Sequence, residues 1–441
     1  MIDPRFLREH EKEVEENLKK RNVPIEFYEK WLDLDEESRK LKQGLDDLRH
    51  DRNTISLEIN ELKKAGKNKE AEKAIKQVKE LPQKIKEIEQ GLEKVESESR
   101  NLILQIPNML LKDVPAGKST EDNKVLKTVG KAPKFNFQPK DHLELAANLG
   151  LIDPERANKV SGAGFFYLKE ELAILDYALQ RFAIDFLRKK GFKLIEPPLM
   201  LHHRPYQGVT SLNAFEDVMY KIENEDLYLI ATSEHAIASM FMDETLLEKN
   251  LPLKLTGVSP CFRKEIGSHG KYTKGLFRMH QFNKVEQFIF CKPEDSQKYF
   301  NELQKNSEEL FNLLGIPYRV VALCSADTGT VAAKTYDIEI LMSDKQYREA
   351  GSNSNCTDYQ ARRLNIKYKE KEGQQPKGFV HTLNNTGIAT SRVMIAILEN
   401  NQQKDGSIKI PKVLQKYTGF KEIKAEKPVK EKKKQDAKKK K

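Results

Sequence analysis

Apolar residues recur at alternating spacings of four and three residues in two long stretches near the start of the chain. The first stretch covers residues 27–62, where only Ser38 and Arg52 break the register, and the second covers residues 74–102. Such sustained spacing is typical of coiled-coil helices. Because the segment AGKNK (residues 65–69) separates two stretches of similar length, we predict an antiparallel helical hairpin within one chain. Each arm would be roughly 50 Å long.

Two details of this hairpin stay open at the level of sequence. Pro82 lies inside the second stretch, where it should kink the helix or break one turn, because proline lacks the amide hydrogen that a helix interior needs. The same heptads could also form a coiled coil between two chains, which would make the segment a dimerisation element.

The pattern changes after the hairpin. Proline, glycine and polar residues fill QIPNMLLKDVPAGKSTEDNK, which is typical of a linker. A long amphipathic helix through Phe186 and a strand after Gly191 follow, and then come strand-like segments such as LYLIAT, QFIFC, YRVVALC and YDIEILM. This order predicts an α+β fold with a mainly antiparallel sheet. We divide the chain into an N-terminal coiled-coil arm (1–112), a linker (113–140), an α+β catalytic domain (141–420) and a disordered lysine-rich tail (421–441).

The composition indicates a soluble protein that does not span a membrane. Charged residues make up 33% of the 441 residues and the mean hydropathy is −0.68. No run of about 18 apolar residues occurs, and the first residues are too charged for a signal peptide. The four cysteines lie far apart without a CxxC pair, which favours reduced thiols over disulfides or a zinc site. We therefore expect a cytoplasmic location.

The net charge of +10 is concentrated at the end of the chain. Residues 421–441 contain eleven lysines and four acidic residues, so they carry +7 of that charge. A lysine block of this kind is typical of a disordered, solvated end. It could also bind a polyanion such as RNA without reading its sequence.

The stretch GLFRMHQFNKVEQF, residues 275–288, combines cations, aromatic rings and a carboxylate. If it forms a strand, side chains alternate between faces, so Arg278, Phe282 and Glu286 share one surface. Arg263 precedes a glycine-containing loop, and Arg263 and Arg278 could therefore hold a phosphate between them across a hairpin. We predict sites for a phosphate, a stacked base and a small polar group on this surface, although a charged strand face is also typical of a solvated edge. No GxGxxG or GxxxxGK[ST] motif indicates another nucleotide-binding fold.

These residues resemble a known family. FRKE followed by GLFRMHQFNKVE resembles motif 2 of the class II aminoacyl-tRNA synthetases, in its seryl form. GFKLIEPPLM is similar to motif 1, with Pro198 at the dimer-interface proline, and NNTGIATSRVMIAILENNQ is similar to motif 3, with Arg392 at its arginine. LIATSEHAI resembles the serine loop, YREAGSNSNCTDYQARR resembles the metal and nucleotide segment, and the hairpin resembles the tRNA-binding arm.

The resemblance implies a homodimer that joins L-serine and ATP to seryl-adenylate and then transfers serine to tRNA(Ser), and to tRNA(Sec) where that tRNA is present. Arg263 and Arg392 would be the catalytic residues, and Glu349 and Ser352 would hold Mg²⁺, which prefers oxygen ligands. The residues implied for serine are Thr232, Ser233, Glu234, Arg263, Glu286, Asn384 and Thr386. The residues implied for ATP are Arg263, Lys264, Glu265, Arg278, Met279, Phe282, Glu349, Ala350, Gly351, Ser352 and Arg392.

One departure and three alternatives accompany this interpretation. Gly351 stands where the family usually has a serine, so metal geometry or ATP affinity could differ. Thr232 and Ser233 could merely cap a helix. A ligase that loads a carrier protein would lack the long arm, and an inactive paralogue that binds RNA would lack the motif arginines. This chain has both the predicted arm and the arginines.

Overall fold

The computed structural model describes residues 1–211, 218–265 and 275–424, and the chain divides into two compact units, Met1–Pro107 and Asn108–Lys441. The helices of the described residues are α1 (Pro4–Glu9), α2 (Glu11–Lys20), α3 (Glu26–Lys64), α4 (Asn68–Ile103), α5 (His142–Asn148), α6 (Pro154–Ser161), α7 (Glu170–Lys189), α8 (His203–Val209), α9 (Ser233–Ala238), α10 (Ser296–Leu314), α11 (Tyr359–Leu364), α12 (Thr390–Asn400) and α13 (Gln415–Thr418). The strands of the described residues are β1 (Lys124–Val129), β2 (Ile152–Asp153), β3 (Tyr167–Leu168), β4 (Lys193–Ile195), β5 (Met200–Leu201), β6 (Tyr228–Leu229), β7 (Thr245–Leu247), β8 (Leu253–Phe262), β9 (Gln281–Cys291), β10 (Tyr318–Ala322), β11 (Lys334–Leu341), β12 (Tyr347–Asn355), β13 (Lys367–Lys369), β14 (Gly378–Phe379), β15 (His381–Ala389), β16 (Ile408–Lys409) and β17 (Glu422–Ile423).

The first unit contains the predicted helical hairpin. Helices α3 and α4 are antiparallel, because Lys42 pairs with Glu96 at 2.6 Å and Arg49, further along α3, pairs with the earlier Glu89 at 2.9 Å. The two arms of the heptad pattern therefore meet within one chain, as predicted, rather than requiring a second chain.

The buried seam of the hairpin differs from the heptad pattern at its first position. Trp31, Leu45 and Ile59 are buried as predicted, whereas Phe27 is 39% exposed and the neighbouring Tyr28 is buried in its place. Tyr28 is held there because its hydroxyl donates to the Leu7 carbonyl at 2.6 Å, a contact from outside the repeat. The expectation that Phe27 begins the seam is therefore wrong.

Pro82 lies within α4, which continues to Ile103 without interruption. The expected break of one turn does not occur. Proline inside a helix removes one hydrogen bond, and burial of Ala74 and Ile85 on either side of it stabilises the helix against that loss.

The second unit is built on an eight-stranded sheet with the order β1-β10-β11-β12-β15-β9-β8-β4. All neighbours are antiparallel except β4 and β8, which are parallel. This confirms the predicted α+β class with a mainly antiparallel sheet. Strand β1 lies inside the range predicted as a linker, since Lys124–Val129 pairs with Tyr318–Ala322 at the edge of the sheet.

Strand β9 separates the helical side of the sheet from an open side. Val285 and Ile289 lie in the large apolar core with α7, α10 and α12, while Lys284 and Glu286 line a cavity on the other face. The alternation predicted for residues 282–288 is confirmed. However, the strand begins only at Gln281, so the prediction that it includes Arg278 is wrong.

The residues before β9 do not continue the strand, because Gly275 packs closely against α5. Gly275 has φ +73°, and a β-carbon there would lie 2.7 Å from Leu143 and 2.9 Å from His142. This close approach requires glycine, and Gly275–Phe277 forms a short 3₁₀ turn that buries Leu276. Arg278 therefore lies directly after this turn and not in strand β9.

Parts of two predictions lie outside the described residues. They are the predicted loop, at residues 266–274, and most of the lysine-rich tail, at residues 425–441. The first residues of the predicted tail are described, and β17 pairs there with β16. Within the described ranges, none of the helices is long and apolar enough to cross a membrane.

Candidate active site

A cavity of about 1140 Å³ lies over the open face of the sheet in the second unit. Most of the chemically reactive side chains singled out from the sequence line it. They are Thr232, Glu234, Arg263, Glu265, Arg278, Glu286, Glu349, Ser352, Asn384 and Thr386. A smaller pocket shares some of these residues and adds Met279, Phe282, Ala350, Gly351 and Arg392.

Two buried carboxylates and one buried ammonium lie together at one part of the cavity. Glu286 is 1% exposed and pairs with Lys284, which is 6% exposed. Glu234 receives a hydrogen bond from the Gln360 amide at 3.5 Å. Two potential negative charges therefore share one positive partner in a place with little solvent.

This imbalance shifts the proton affinity of both carboxylates. Burial and the nearby Glu286 raise the pKa of Glu234 to about 7. Burial also raises the pKa of Glu286, although Lys284 opposes that shift. Lys284 and Arg263 both act to lower the pKa of Glu234, but burial outweighs them. A further cation beside Glu234 would favour its ionised form.

The loop before α9 supplies the remaining groups at this end. Thr232 caps α9, since its hydroxyl accepts from the Glu234 amide at 3.1 Å. The cap expected as an alternative role is therefore present, and Thr232 lines the cavity at the same time. Ser233 is fully buried and lies outside the lining residues.

Arg263 lies between this end of the cavity and the end that contains Phe282, Arg278 and Arg392. Its side chain donates to the Ala231 carbonyl at 3.3 Å, and its guanidinium lies 5.3 Å from the ring centroid of Phe282. Its backbone amide donates to the His280 carbonyl at 2.9 Å, so the arginine extends from the end of β8 over β9. The His280 ring stacks on Phe165, which fits a structural role.

Two further arginines are each held by a carboxylate. Arg278 pairs with Glu265 at 3.2 Å, and Arg392 pairs with Glu349 at 3.0 Å. The guanidinium of Arg392 lowers the pKa of Glu349 against the effect of burial. Anionic groups of a ligand can compete for these guanidinium groups, because charge-assisted bidentate bonds to phosphate are strong.

Asp337 joins the predicted metal ligands. It lies opposite Ser352 on adjacent strands, and burial followed by repulsion from Glu349 raises the pKa of Asp337 well above its usual range. One of its oxygens, Oδ1, is buried without a hydrogen-bond partner among the described residues. Asp337, Glu349 and Ser352 therefore bring oxygen donors to one region, and Mg²⁺ prefers oxygen ligands.

Gly351 is required by the side chain that faces it. A β-carbon at Gly351 would lie 2.7 Å from Cβ and 3.2 Å from Cγ2 of Thr386, closer than side chains approach. Thr386 therefore leaves no room for a larger side chain at Gly351, the position at which the resembled motif usually has a serine.

The sequence interpretation included two residues that do not line the cavity, Ser233 and Lys264, and it missed several residues that do. The Lys264 ammonium lies 6.0 Å from the ring centroid of Tyr220, outside the lining residues. Lys284, Asp337 and His235 all line the cavity. Strand alternation placed Lys284 on the right face, whereas no sequence signal distinguished Asp337. Burial lowers the pKa of His235 to about 3, so its ring is uncharged at neutral pH and forms part of the cavity wall.

Comparison with known proteins identifies the chain. The sequence model "Seryl-tRNA synthetase N-terminal domain" matches residues 1–110, and "tRNA synthetase class II core domain (G, H, P, S and T)" matches residues 218–401. A serine–tRNA ligase from Methanospirillum hungatei is 52% identical over 426 residues, which are 96% of this chain and 100% of that protein. The chain belongs to the seryl-tRNA synthetase family. This confirms the family and the enzyme class predicted from the motifs.

Solved structures of seryl-tRNA synthetases agree with this membership. The Pyrococcus horikoshii enzyme complexed with ATP has a TM-score of 0.92 at 44% identity, covering 97% of this chain and 100% of that one. A cytoplasmic serine–tRNA ligase from Naegleria fowleri in complex with AMP has a TM-score of 0.85 at 33% identity, covering 97% and 99%.

Proposed function

We propose that this seryl-tRNA synthetase activates L-serine with ATP in the cavity of the second unit and transfers the seryl group to tRNA(Ser). Where a tRNA(Sec) is present, we propose that it is charged as well. The observation that supports this most strongly is the combination in one cavity of a buried carboxylate pair with Arg263. Such a site can hold a small zwitterion next to a phosphate.

The carboxylate end fits serine. The substrate ammonium supplies the positive charge that Glu234 lacks, and Thr232 offers a further acceptor. Glu286 and Thr386 then receive the substrate hydroxyl, with Asn384 beside them. Buried groups that pair with a substrate hydroxyl discriminate strongly against an analogue without it.

The arginine end fits ATP. Phe282 offers a ring for stacking the adenine, with Met279 beside it, and Glu265 is placed to accept from the adenine edge. Arg263 holds the α-phosphate, while Arg278 and Arg392 exchange their carboxylate partners for the outer phosphates. Since Arg263 adjoins both ends, it also brings the serine carboxylate towards the α-phosphate.

The chemistry asks for positioning and charge neutralisation. A serine carboxylate oxygen attacks the α-phosphorus, the bond to the β-phosphate oxygen breaks, and pyrophosphate leaves with the electron pair. A ribose hydroxyl of the tRNA end then attacks the carbonyl carbon, loses its proton, and AMP leaves. Arg263 stabilises the charge that develops at phosphorus in the first step, and a preorganised site of this kind supplies much of a rate enhancement.

Magnesium fits the remaining oxygen donors. Glu349 and Ser352 would hold it, and the unpartnered oxygen of Asp337 extends this set. When bound, the ion would neutralise charge on the phosphates. Among the described residues, no group of three or more histidine, cysteine or acidic side chains forms a metal cluster.

The arm of the first unit fits a nucleic-acid backbone. Seven lysines near the turn between α3 and α4 are exposed, namely Lys63, Lys64, Lys67, Lys69, Lys73, Lys76 and Lys79. Lysines contact phosphates without reading bases. We therefore propose that this arm binds tRNA by its shape and charge.

A second copy of the chain fits the surface around motif 1. Ile174 and Tyr177 on α7 are 43% and 72% exposed, and Leu194, Leu199 and Met200 near Pro198 are also exposed. Strand β4 ends the large sheet, so its free edge lies in the same segment. We propose that a homodimer covers this surface, with Pro198 in the interface. Sedimentation at micromolar concentration should give a dimer, and an active monomer would contradict this proposal.

We also propose a cytoplasmic location. The four cysteines are buried and unbonded in the described residues, which suits a reducing compartment.

Serine-dependent exchange between ATP and pyrophosphate tests the activity directly. Serine should support exchange, whereas alanine and threonine should support it at least about a hundredfold less well, since each lacks the fit to the hydroxyl site. Equal or better exchange with threonine or glycine would contradict the proposal. Exchange without charging of any tRNA would instead favour a ligase that loads another carrier.

A further inference from the structure

Asp176 is a buried carboxylate outside the cavity, and the mechanism above does not use it. It lies on α7 and is 4% exposed. Asn283 donates to its Oδ2 at 2.6 Å, and Gln180, one turn along the same helix, donates to the same oxygen at 2.7 Å. The Thr390 hydroxyl also stabilises the ionised carboxylate.

These contacts join α7 to β9 and α12, two segments that carry residues of the proposed ATP site. Asn283 lies on β9 between Phe282 and Lys284, so its side chain points to α7 while its neighbours point to the cavity. Thr390 is the first residue of α12, two residues before Arg392. Thr390 in turn donates to the Asn283 carbonyl at 3.1 Å.

The arrangement is demanding, because a buried charge is costly unless its hydrogen bonds are made. Burial raises the pKa of Asp176, and the neighbouring Thr390 hydroxyl and the Asn283 and Gln180 amides oppose this. The packing of β9 and α12 against α7 brings these groups together at Asp176. Movement of either element would leave a carboxylate in the core without its partners.

We propose that Asp176 is a positioning residue for ATP, fixing Phe282 on β9 and Arg392 on α12 relative to each other. This inference rests on the proposed ATP site. It gives Asp176 a role mainly in nucleotide affinity, because Asn283 adjoins Phe282 and Thr390 lies two residues before Arg392. Of the residues proposed for serine, Glu286 lies three residues further along β9, and Thr232 and Glu234 belong to other elements.

The test compares Michaelis constants in ATP–pyrophosphate exchange with the full-length enzyme. Asp176→Asn replaces the charged oxygen that accepts from Asn283 and Gln180 by a neutral amide oxygen, which is a weaker acceptor. The KM for ATP should therefore rise by about tenfold or more, while the KM for serine should change by less than about threefold. Gln180→Met is the matched control, because it removes a donor to the same oxygen without cutting a link between elements. Its KM for ATP should stay within about threefold of wild type.

A swapped pair keeps the test decisive if Asp176→Asn folds poorly. In the double variant Asp176→Asn with Asn283→Asp, the new amide donates to the new carboxylate, so ATP affinity should return to within about threefold of wild type. Equal rises in both Michaelis constants for Asp176→Asn, or no recovery in the swapped variant, would overturn the proposal. Absence of serine-dependent exchange in the wild type would instead reject the proposed function itself.

Discussion

Single residues at the serine end of the cavity are coupled by charge. Glu234 and Glu286 share Lys284 as a buried cationic neighbour, so replacing either carboxylate changes the field felt by the other. Substitutions here should alter serine recognition first, because the arginines proposed to hold the outer phosphates, Arg278 and Arg392, lie on the turn before β9 and on α12.

Glu286→Ala should reduce the preference for serine over alanine more than it reduces ATP affinity. In the proposed site a buried carboxylate pairs with the substrate hydroxyl, and such sites can discriminate by about 10⁴-fold. The measurement is the ratio of kcat/KM for the two amino acids in pyrophosphate exchange, which does not depend on the fraction of folded enzyme.

Stability should be followed in the same variant. Removal of Glu286 leaves Lys284 buried without its partner, a change that typically costs about 3–5 kcal/mol. Adding Lys284→Met should recover part of the loss in unfolding temperature. An unchanged preference for serine over alanine in Glu286→Ala would remove Glu286 from hydroxyl recognition.

The serine end should also respond to pH. Burial and Glu286 raise the pKa of Glu234 to about 7, so below that pH the folded, empty site holds a proton on Glu234. Serine binding favours the ionised form and releases this proton. The KM for serine should therefore rise as pH falls below 7, by up to about tenfold per pH unit for one proton.

The KM for ATP serves as the internal comparison in this pH series, and Glu234→Gln as the control variant. Glu234→Gln should bind serine more weakly and lose the dependence on pH in this window. A wild-type KM for serine that stays constant between pH 5 and 8 would contradict the coupling.

Individual elements serve two environments at once. Strand β9 faces the cavity with Phe282, Lys284 and Glu286, and it faces α7 and the core with Asn283 and Val285. Its position is therefore fixed from behind by packing and by Asp176, while its front carries the chemistry. Helix α4 is less constrained at Pro82, because this residue lies in an exposed turn and the helix continues through it.

Pro82→Ala should stabilise α4. Proline is about 3 kcal/mol less favourable than alanine in a helix interior, and the helix already continues through this position. We expect a gain of about 1–3 kcal/mol, measured by native-state hydrogen exchange of the α4 amides. Lys84→Ala, at an exposed neighbouring position, should change stability by less than about 0.5 kcal/mol. A loss of stability in Pro82→Ala would mean that the proline is needed for the seam.

The molecule consists of two compact units, each with its own buried residues. The first unit has its own buried residues along α3 and α4, and the second contains every lining residue of the cavity. Serine activation and tRNA binding should therefore be separable.

Replacing residues 30–100 by a short linker should leave serine activation within roughly tenfold, which corresponds to about 1.4 kcal/mol of transition-state stabilisation. Charging of tRNA should fall by orders of magnitude, because the proposed contacts of the arm are lost. The measurement compares pyrophosphate exchange with tRNA aminoacylation in the same preparation.

A charge variant gives the matched control for the arm. Substituting glutamine for the seven exposed lysines near the turn keeps the helices but removes the phosphate contacts, so tRNA binding should weaken and depend less steeply on salt. Charging at the wild-type rate by the armless enzyme would mean that the arm is only structural.

The sequence alone determined the features that depend on local pattern and on residue types in fixed order. The spacing of Leu45 and Ile59 predicted the helical hairpin, the alternation from Phe282 to Phe288 predicted the two faces of β9, and the motif arginines indicated the enzyme family. The hairpin and the two faces of β9 follow from the side-chain periods of helix and strand, which can be recognised from residues close together in the sequence.

Tertiary structure alone decided which distant groups meet. Asp337 joins Ser352 because β11 and β12 pair in one register, Gly351 is required because Thr386 faces it, and Asp176 meets Asn283 and Thr390 only after α7, β9 and α12 pack together. The start of β9 at Gln281 likewise depends on the approach of Gly275 to α5. Contacts of this kind arise from packing between segments far apart in the chain, and no local period encodes them.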